Sequence, residues 1–284
     1  MRSTFLQNFR LFSQNRGALI GLLFILFFTL LALLAPWLAP KDPNTLYVEH
    51  LREAPFHPSF LLGTDDLGRD YLSRLIYGAR ISLGTGILIV LFSGTVGTIL
   101  GLLGGFYGKK IDWAVMRLVD ILMAFPSILL AMAVVSILGP GLLNAIIAVS
   151  IVACPQFIKI ARAKAMIEKK QTYIMASRTF GASSPRLIFK EILPNCLGPL
   201  LVQASLGVSD GILNVAALGF LGLGAQAPTP EWGIMLADAR VFIMSSPFLV
   251  TLPGICILIL VLSFNLFGDG LRDIIDPKLK ARSS

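Results

Sequence analysis

Six long apolar runs constrain this chain more than anything else in its sequence. A bilayer crossing needs about 20 largely apolar residues. Gly17 to Leu38, Ile81 to Tyr107, Ala114 to Leu138, Leu142 to about Ile160, Cys196 to Gly224 and Pro247 to Phe267 reach or approach that length. Lipid offers backbone amides no partners, so only helices and closed barrels cross it. Barrel strands alternate in character over about ten residues, and these runs do not alternate. The expected fold is all-α, a polytopic membrane protein with six transmembrane helices. Composition agrees: 14% of the residues are charged, against about 25% in a soluble domain. So little polar surface cannot coat a water-soluble globule, and 55% hydrophobic residues exclude disorder.

The first run exceeds the h-region of a signal peptide, usually about 7–15 residues, and no small-x-small site precedes Pro40. It reads as a permanent anchor. Pro155 interrupts the fourth run. The expected division is an N-terminal segment 1–16, a first transmembrane helix 17–38, an outer loop 39–80 with an interfacial helix, a five-helix core 81–270 containing a polar loop 159–193, and a tail 271–284. With the N-terminus inside, the inner segments hold 18 of the 24 Lys and Arg residues, and only Lys41, Arg52, Arg69, Arg74, Arg80 and Arg240 lie outside. Basic residues mark the cytoplasmic side, so both termini are expected there. This placement makes nucleic acid an unsuitable partner despite the net charge of +8.

Several local patterns stand out. Gly97, Gly101 and Gly105 form two overlapping small-xxx-small motifs, a face that lets another helix approach closely, within the subunit or between subunits. In the outer loop, Leu62-Gly63-Thr64-Asp65-Asp66-Leu67-Gly68-Arg69-Asp70 places two acids side by side. An EF-hand needs ligands at alternate positions, so the segment reads as a turn, with Asp70 as N-cap of a short interfacial helix ending at Gly78. The loop 159–193 is long and basic. Thr172 to Phe180 reads as a helix stopped by Gly181, and Ser184 caps a second helix with Pro185 in its first turn, ending at Pro194. Such an elbow is either a docking element or an amphipathic pair on anionic lipid. Two acids fall inside spans: Asp120, which can pair with Arg117, and Asp210, which has no local basic partner and is expected to face a water-filled path.

Chemistry is sparse. There is no P-loop, no Rossmann or zincin motif, and no nucleophile-base constellation near the inner face. The two histidines, His50 and His57, sit in the outer loop, and Cys154, Cys196 and Cys256 lack metal or disulfide spacing. No enzyme activity, cofactor or metal is expected. Energy for active transport must come from an ion gradient or a separate ATPase.

At the elbow the chain resembles the permease subunits of bacterial ABC importers. Their signature is Glu-Ala-Ala, three residues, Gly, then Leu-Pro. Here Met175-Ala176-Ser177 precedes Gly181, and Leu193-Pro194 follows at the matching distance, with Met175 in the Glu position and Ser177 in that of the second Ala. The 62–70 segment, Ala216 to Gln226, Pro228 to Gly233 and Asn265 to Asp273 are similar to hallmarks of the dipeptide/oligopeptide/nickel permeases, closest to the C type. The resemblance implies a type I importer permease working with a second homologous permease, two cytoplasmic ATP-binding subunits and an extracytoplasmic substrate-binding protein. It also implies that Met175, Ala176, Ser177, Gly181, Leu193 and Pro194 belong to the element that couples to an ATPase. The implied cargo is a small peptide, with nickel, antimicrobial peptide or glutathione as the cargo of sister systems. An ion-coupled secondary transporter acting alone is the alternative from another class; such carriers show paired repeats, and none is visible here.

Overall fold

The computed structural model describes residues 15–275. Residues 1–14 and 276–284, with most of the two expected terminal segments and the basic residues in them, lie outside the described residues. The described chain is helical, with two isolated β-bridges, His57 to Phe60 and Thr64 to Asp70. Its helices are α1 (Arg16–Leu33), α2 (Ala35–Leu38), α3 (Tyr71–Tyr107), α4 (Lys109–Met123), α5 (Ser127–Leu138), α6 (Leu142–Glu168), α7 (Thr172–Thr179), α8 (Ser184–Arg186), α9 (Leu193–Phe220), α10 (Trp232–Ala239) and α11 (Phe248–Ile275). Five segments are long and apolar enough to cross a bilayer, and the pair α4–α5, taken as one span, makes six.

That third span is not straight: α5 turns from α4 by 95°. Pro126 lies at the break, without an N–H and disfavouring helix at Phe125 before it. The sequence reading of Ala114 to Leu138 as one run overlooked this proline. The reverse error occurs at the outer loop. The expected short helix ending at Gly78 is instead the first two turns of the 37-residue α3. Asp70 does cap it, accepting from Ser73 N at 2.8 Å. Gly78 serves packing rather than termination: a Cβ there would stand 2.5 Å from Trp232 Cδ1 and Nε1.

Trp232 is fully buried. Its Nε1 donates to Leu75 O at 3.1 Å, and its ring meets Phe28 edge-on at 5.7 Å. It thereby gathers α1, α3 and α10 into the largest core cluster. Glu231 caps α10, accepting from Gly233 N at 2.8 Å and Ile234 N at 3.1 Å. The glycine face resolves in favour of an internal contact. A Cβ on Gly97, Gly101 or Gly105 would lie 2.8, 2.5 or 2.6 Å from the carbonyl oxygen of Cys154, Ile158 or Arg162. Steps of four on α3 thus match steps of four on α6, and the backbones nearly touch.

The acidic turn is a clamp. Buried Asp65 pairs with Arg69 at 2.6 Å and with Arg74 at 3.3 Å, and accepts the N–H groups of Leu67 and Arg69. Arg74 Nη1 donates to Pro43 O and Pro228 O, tying the 39–70 loop to the segment before α10. At the ends of the bundle, Asn15 Nδ2 donates to Asp273 Oδ2 at 3.0 Å, which places the start of α1 beside the end of α11.

Candidate coupling elbow and polar groove

The elbow is built from the chain outward. Helix α7 ends where its residues force it to. Gly181 has φ +84°, a conformation nearly free of cost only for glycine. Its N–H reaches Arg178 O at 3.1 Å and the Ala182 N–H reaches Ser177 O at 3.0 Å, a Schellman ending. The underside of α7 is fixed by buried Ile174, which packs with Leu187, Ile188 and Ile192 against Leu102 and Phe106 of α3 and Ala165 of α6. Lys169 Nζ donates to Phe106 O. Tyr173 OH donates to Glu168 Oε2 at 2.7 Å and accepts from Asn195 Nδ2 at 2.9 Å. Burial, with the Glu168 carboxylate beside it, pushes the Tyr173 phenol up to about 12.

The second arm departs from expectation. Pro185 does lie in the first turn of α8, after Ser183 rather than Ser184 as the capping position. Pro194 does not stop the helix. A π-helical stretch, Leu187–Ile192, joins α8 to α9, whose first turn contains Pro194. The wider turn accommodates a residue that cannot donate to the carbonyl four positions back, so one arm of the elbow is continuous with a membrane span. Among the sequence-predicted residues, Met175, Ala176, Gly181 and Pro194 are exposed, while Ser177 and Leu193 are half-buried. Phe180, which the motif did not single out, is 90% exposed at the tip. Its position at the cap of α7, beside a left-handed glycine, is the signal that a reading of helix ends could have used. A side chain at 181 would meet nothing within 4 Å, so the elbow is open toward whatever covers it.

Beneath the elbow, Arg162 of α6 forks onto Asp112 of α4, with Nη2 2.7 Å from Oδ2 and Nε on Oδ1. This pair was not expected. The expected Arg117–Asp120 pair is not among the ion pairs of the described residues; Arg117 lies over the Trp113 ring at 5.6 Å.

Asp210 lies on α9 and lines an open groove of about 250 Å³ together with Ser127, Gln156, Gln203 and Asn214 from α5, α6 and α9. The 95° bend brings Ser127 into this polar wall. Asn214 Nδ2 holds the Asp210 carbonyl at 2.7 Å, and the side chain of Asp210 is exposed.

Residues 97–281 match the family described as "Binding-protein-dependent transport system inner membrane component", and residues 3–55 match the N-terminal TM domain of oligopeptide transport permease C. The chain is 53% identical over 274 residues to the dipeptide transport system permease protein DppC of Haemophilus influenzae, covering 95% of this chain and 93% of that one. It is also 53% identical over 274 residues to the di/tripeptide transport system permease protein DppC of Pseudomonas aeruginosa, covering 95% and 90%. A solved chain of the inward-facing MetNI methionine ABC transporter shares the fold, with TM-score 0.57 and 21% identity over 72% of this chain and 98% of that one. The chain therefore belongs to the binding-protein-dependent transport system inner membrane components, and is a multi-pass permease subunit.

Proposed function

We propose that this chain is the permease subunit of an ATP-driven importer of dipeptides and short peptides. The observation that carries the cargo is the 53% identity, along nearly all of both chains, to permeases named for dipeptide and di/tripeptide transport. The elbow faces the cytoplasm together with both termini, a reading supported by the basic residues gathered on that side. Its exposed surface around Met175, Ala176, Phe180 and Gly181 seats in a cleft of one of two ATP-binding subunits. Ser177, Leu193 and Pro194 set its angle to α9. A second homologous permease faces the polar groove, Asp210 contributes to the path between them, and a substrate-binding protein delivers peptide from outside. Rigid anchoring of α7 to α3, α6 and α9 supports coupling over lipid binding, because an element that moves with three spans can pass a displacement to them.

The test is uptake in cells deleted for the gene and complemented with it. Labelled dipeptide should enter only with the complementing gene and with intact ATP-binding subunits. Loss of nickel or glutathione uptake with unchanged dipeptide uptake would assign the chain to a sister system. Uptake that persists without the ATP-binding subunits would point to an ion-coupled carrier.

A further inference from the structure

The chain has two histidines, and the loop between α2 and α3 brings both to one point. The His50 and His57 ring centroids are 5.4 Å apart, and Glu53 Oε1 lies 3.2 Å from His50 Nδ1. One ligand atom from each of the three residues lies within 4.8 Å of the other two. We propose that His50, Glu53 and His57 form a binding site for one divalent transition-metal ion of the Zn²⁺ type.

The donor set fits that class. Two imidazoles and a carboxylate suit zinc and its neighbours, whereas calcium and magnesium take oxygen ligands. Three protein ligands leave a coordination position open to water. Bonds of about 2.0–2.1 Å in a tetrahedral site put ligand atoms roughly 3.4 Å apart. All three residues are half-buried, so side-chain rotation can close the remaining gap without repacking a core.

The backbone beneath the ligands is already in place. Thr64 is fully buried; its hydroxyl donates to His50 O at 2.5 Å and accepts from Glu53 N at 2.8 Å. Phe60, also buried, supports both imidazoles, with centroids at 5.3 Å from His50 and 5.9 Å from His57, and its N–H closes the turn onto His57 O at 3.0 Å. Two contacts compete with an ion: the His50 Nδ1–Glu53 Oε1 pair at 3.2 Å, which joins two of the ligands to each other, and Ser59 N on His57 Nδ1 at 3.3 Å, longer than the usual N–H bond. A metal on His57 Nε2 requires a proton on Nδ1 and gives the Ser59 contact up. A bound ion would tie position 50 to position 57 across a turn whose tip carries Phe56, 84% exposed. The site is independent of the elbow and of the assignment of cargo.

The experiment uses the full chain purified in nanodiscs without a histidine tag and stripped with chelator. Both histidines are carbethoxylated with and without Zn²⁺, and modification is read by mass spectrometry. Zn²⁺ is expected to protect His50 and His57 together, with one ion bound per chain, and Mg²⁺ is expected to protect neither. His57→Ala and Glu53→Gln should each weaken Zn²⁺ binding by at least the factor of about 10–100 that loss of a supporting partner costs. Melting of the metal-free variants serves as the check that they fold, and the protection measurement needs no variant. Equal modification of both histidines with saturating Zn²⁺ overturns the proposal. So does equal Zn²⁺ binding by wild type and the His50→Ala/His57→Ala double variant, or equal protection by Mg²⁺.

Discussion

The Trp232 indole occupies the space that a side chain at Gly78 would need, with a Cβ there 2.5 Å from Cδ1 and Nε1. Pro230 O, 2.9 Å from the same point, closes off the other route of escape. A methyl added at 78 therefore displaces the residue that joins α1, α3 and α10. Overpacking of this kind costs about 1–3 kcal/mol. Gly78→Ala is expected to lower the melting temperature in detergent and the yield of folded protein. A melting temperature equal to wild type would mean that α3 and α10 are less tightly joined than the indole contact indicates.

At the opposite end of the bundle, the Arg162–Asp112 fork links α6 to α4. Both side chains are about one-quarter exposed, so solvent reduces the value of the pair to about 1 kcal/mol. Asp112→Asn should lose that amount, and Arg162→Lys should not preserve it, because an ammonium cannot bond both carboxylate oxygens in the same plane. Melting curves of both variants and the double variant form a cycle, and a coupling energy of zero would remove the clamp.

Gly181 separates strain from contact. No atom lies within 4 Å of a Cβ there, yet φ is +84°. A side chain at 181 therefore meets nothing within the chain itself and acts through backbone strain of about 1–2 kcal/mol and through a clash with the proposed partner surface. Gly181→Val is expected to insert normally while losing stimulation of the ATP-binding subunits and uptake. Gly181→Asn, which tolerates the left-handed region better, should retain more of both. Normal stimulated turnover in the valine variant would exclude the elbow as the coupling contact.

Asp210→Asn keeps the shape of the groove and removes its charge. Uptake of peptides with a free amino terminus is expected to fall, with membrane insertion unchanged. Equal uptake would leave Asp210 as groove lining without a part in receiving the peptide.

Sidedness can be read from single cysteines in a background lacking Cys154, Cys196 and Cys256. An impermeant maleimide applied to intact cells should label Asp66→Cys, which is partly exposed in the outer loop, and should leave exposed Lys170→Cys unlabelled. Labelling at 170 from outside would invert the topology.

The sequence by itself determined the helical membrane fold, because a run of apolar residues in lipid has one open-ended solution, with every amide bonded within its own segment. It also determined the end of α7, since Gly181 acts through its own backbone, and the cap of α3, since Asp70 reaches only three residues on. Tertiary structure decided what depends on partners distant in the chain. Nothing local to Gly78 names Trp232, 154 positions away. Nothing local to Asp112 names Arg162, 50 positions away, and the nearer pairing of Arg117 with Asp120 is not among the ion pairs of the described residues, Arg117 lying over the Trp113 ring instead. The glycines of α3 announced a close approach, but only the register with Cys154, Ile158 and Arg162 fixed which helix approaches. Pro126 and Pro194 have the same local chemistry and opposite outcomes, a 95° break and an uninterrupted arm. The difference is that a π-helical turn precedes Pro194, on an arm that α3 and α6 hold in place through a shared core.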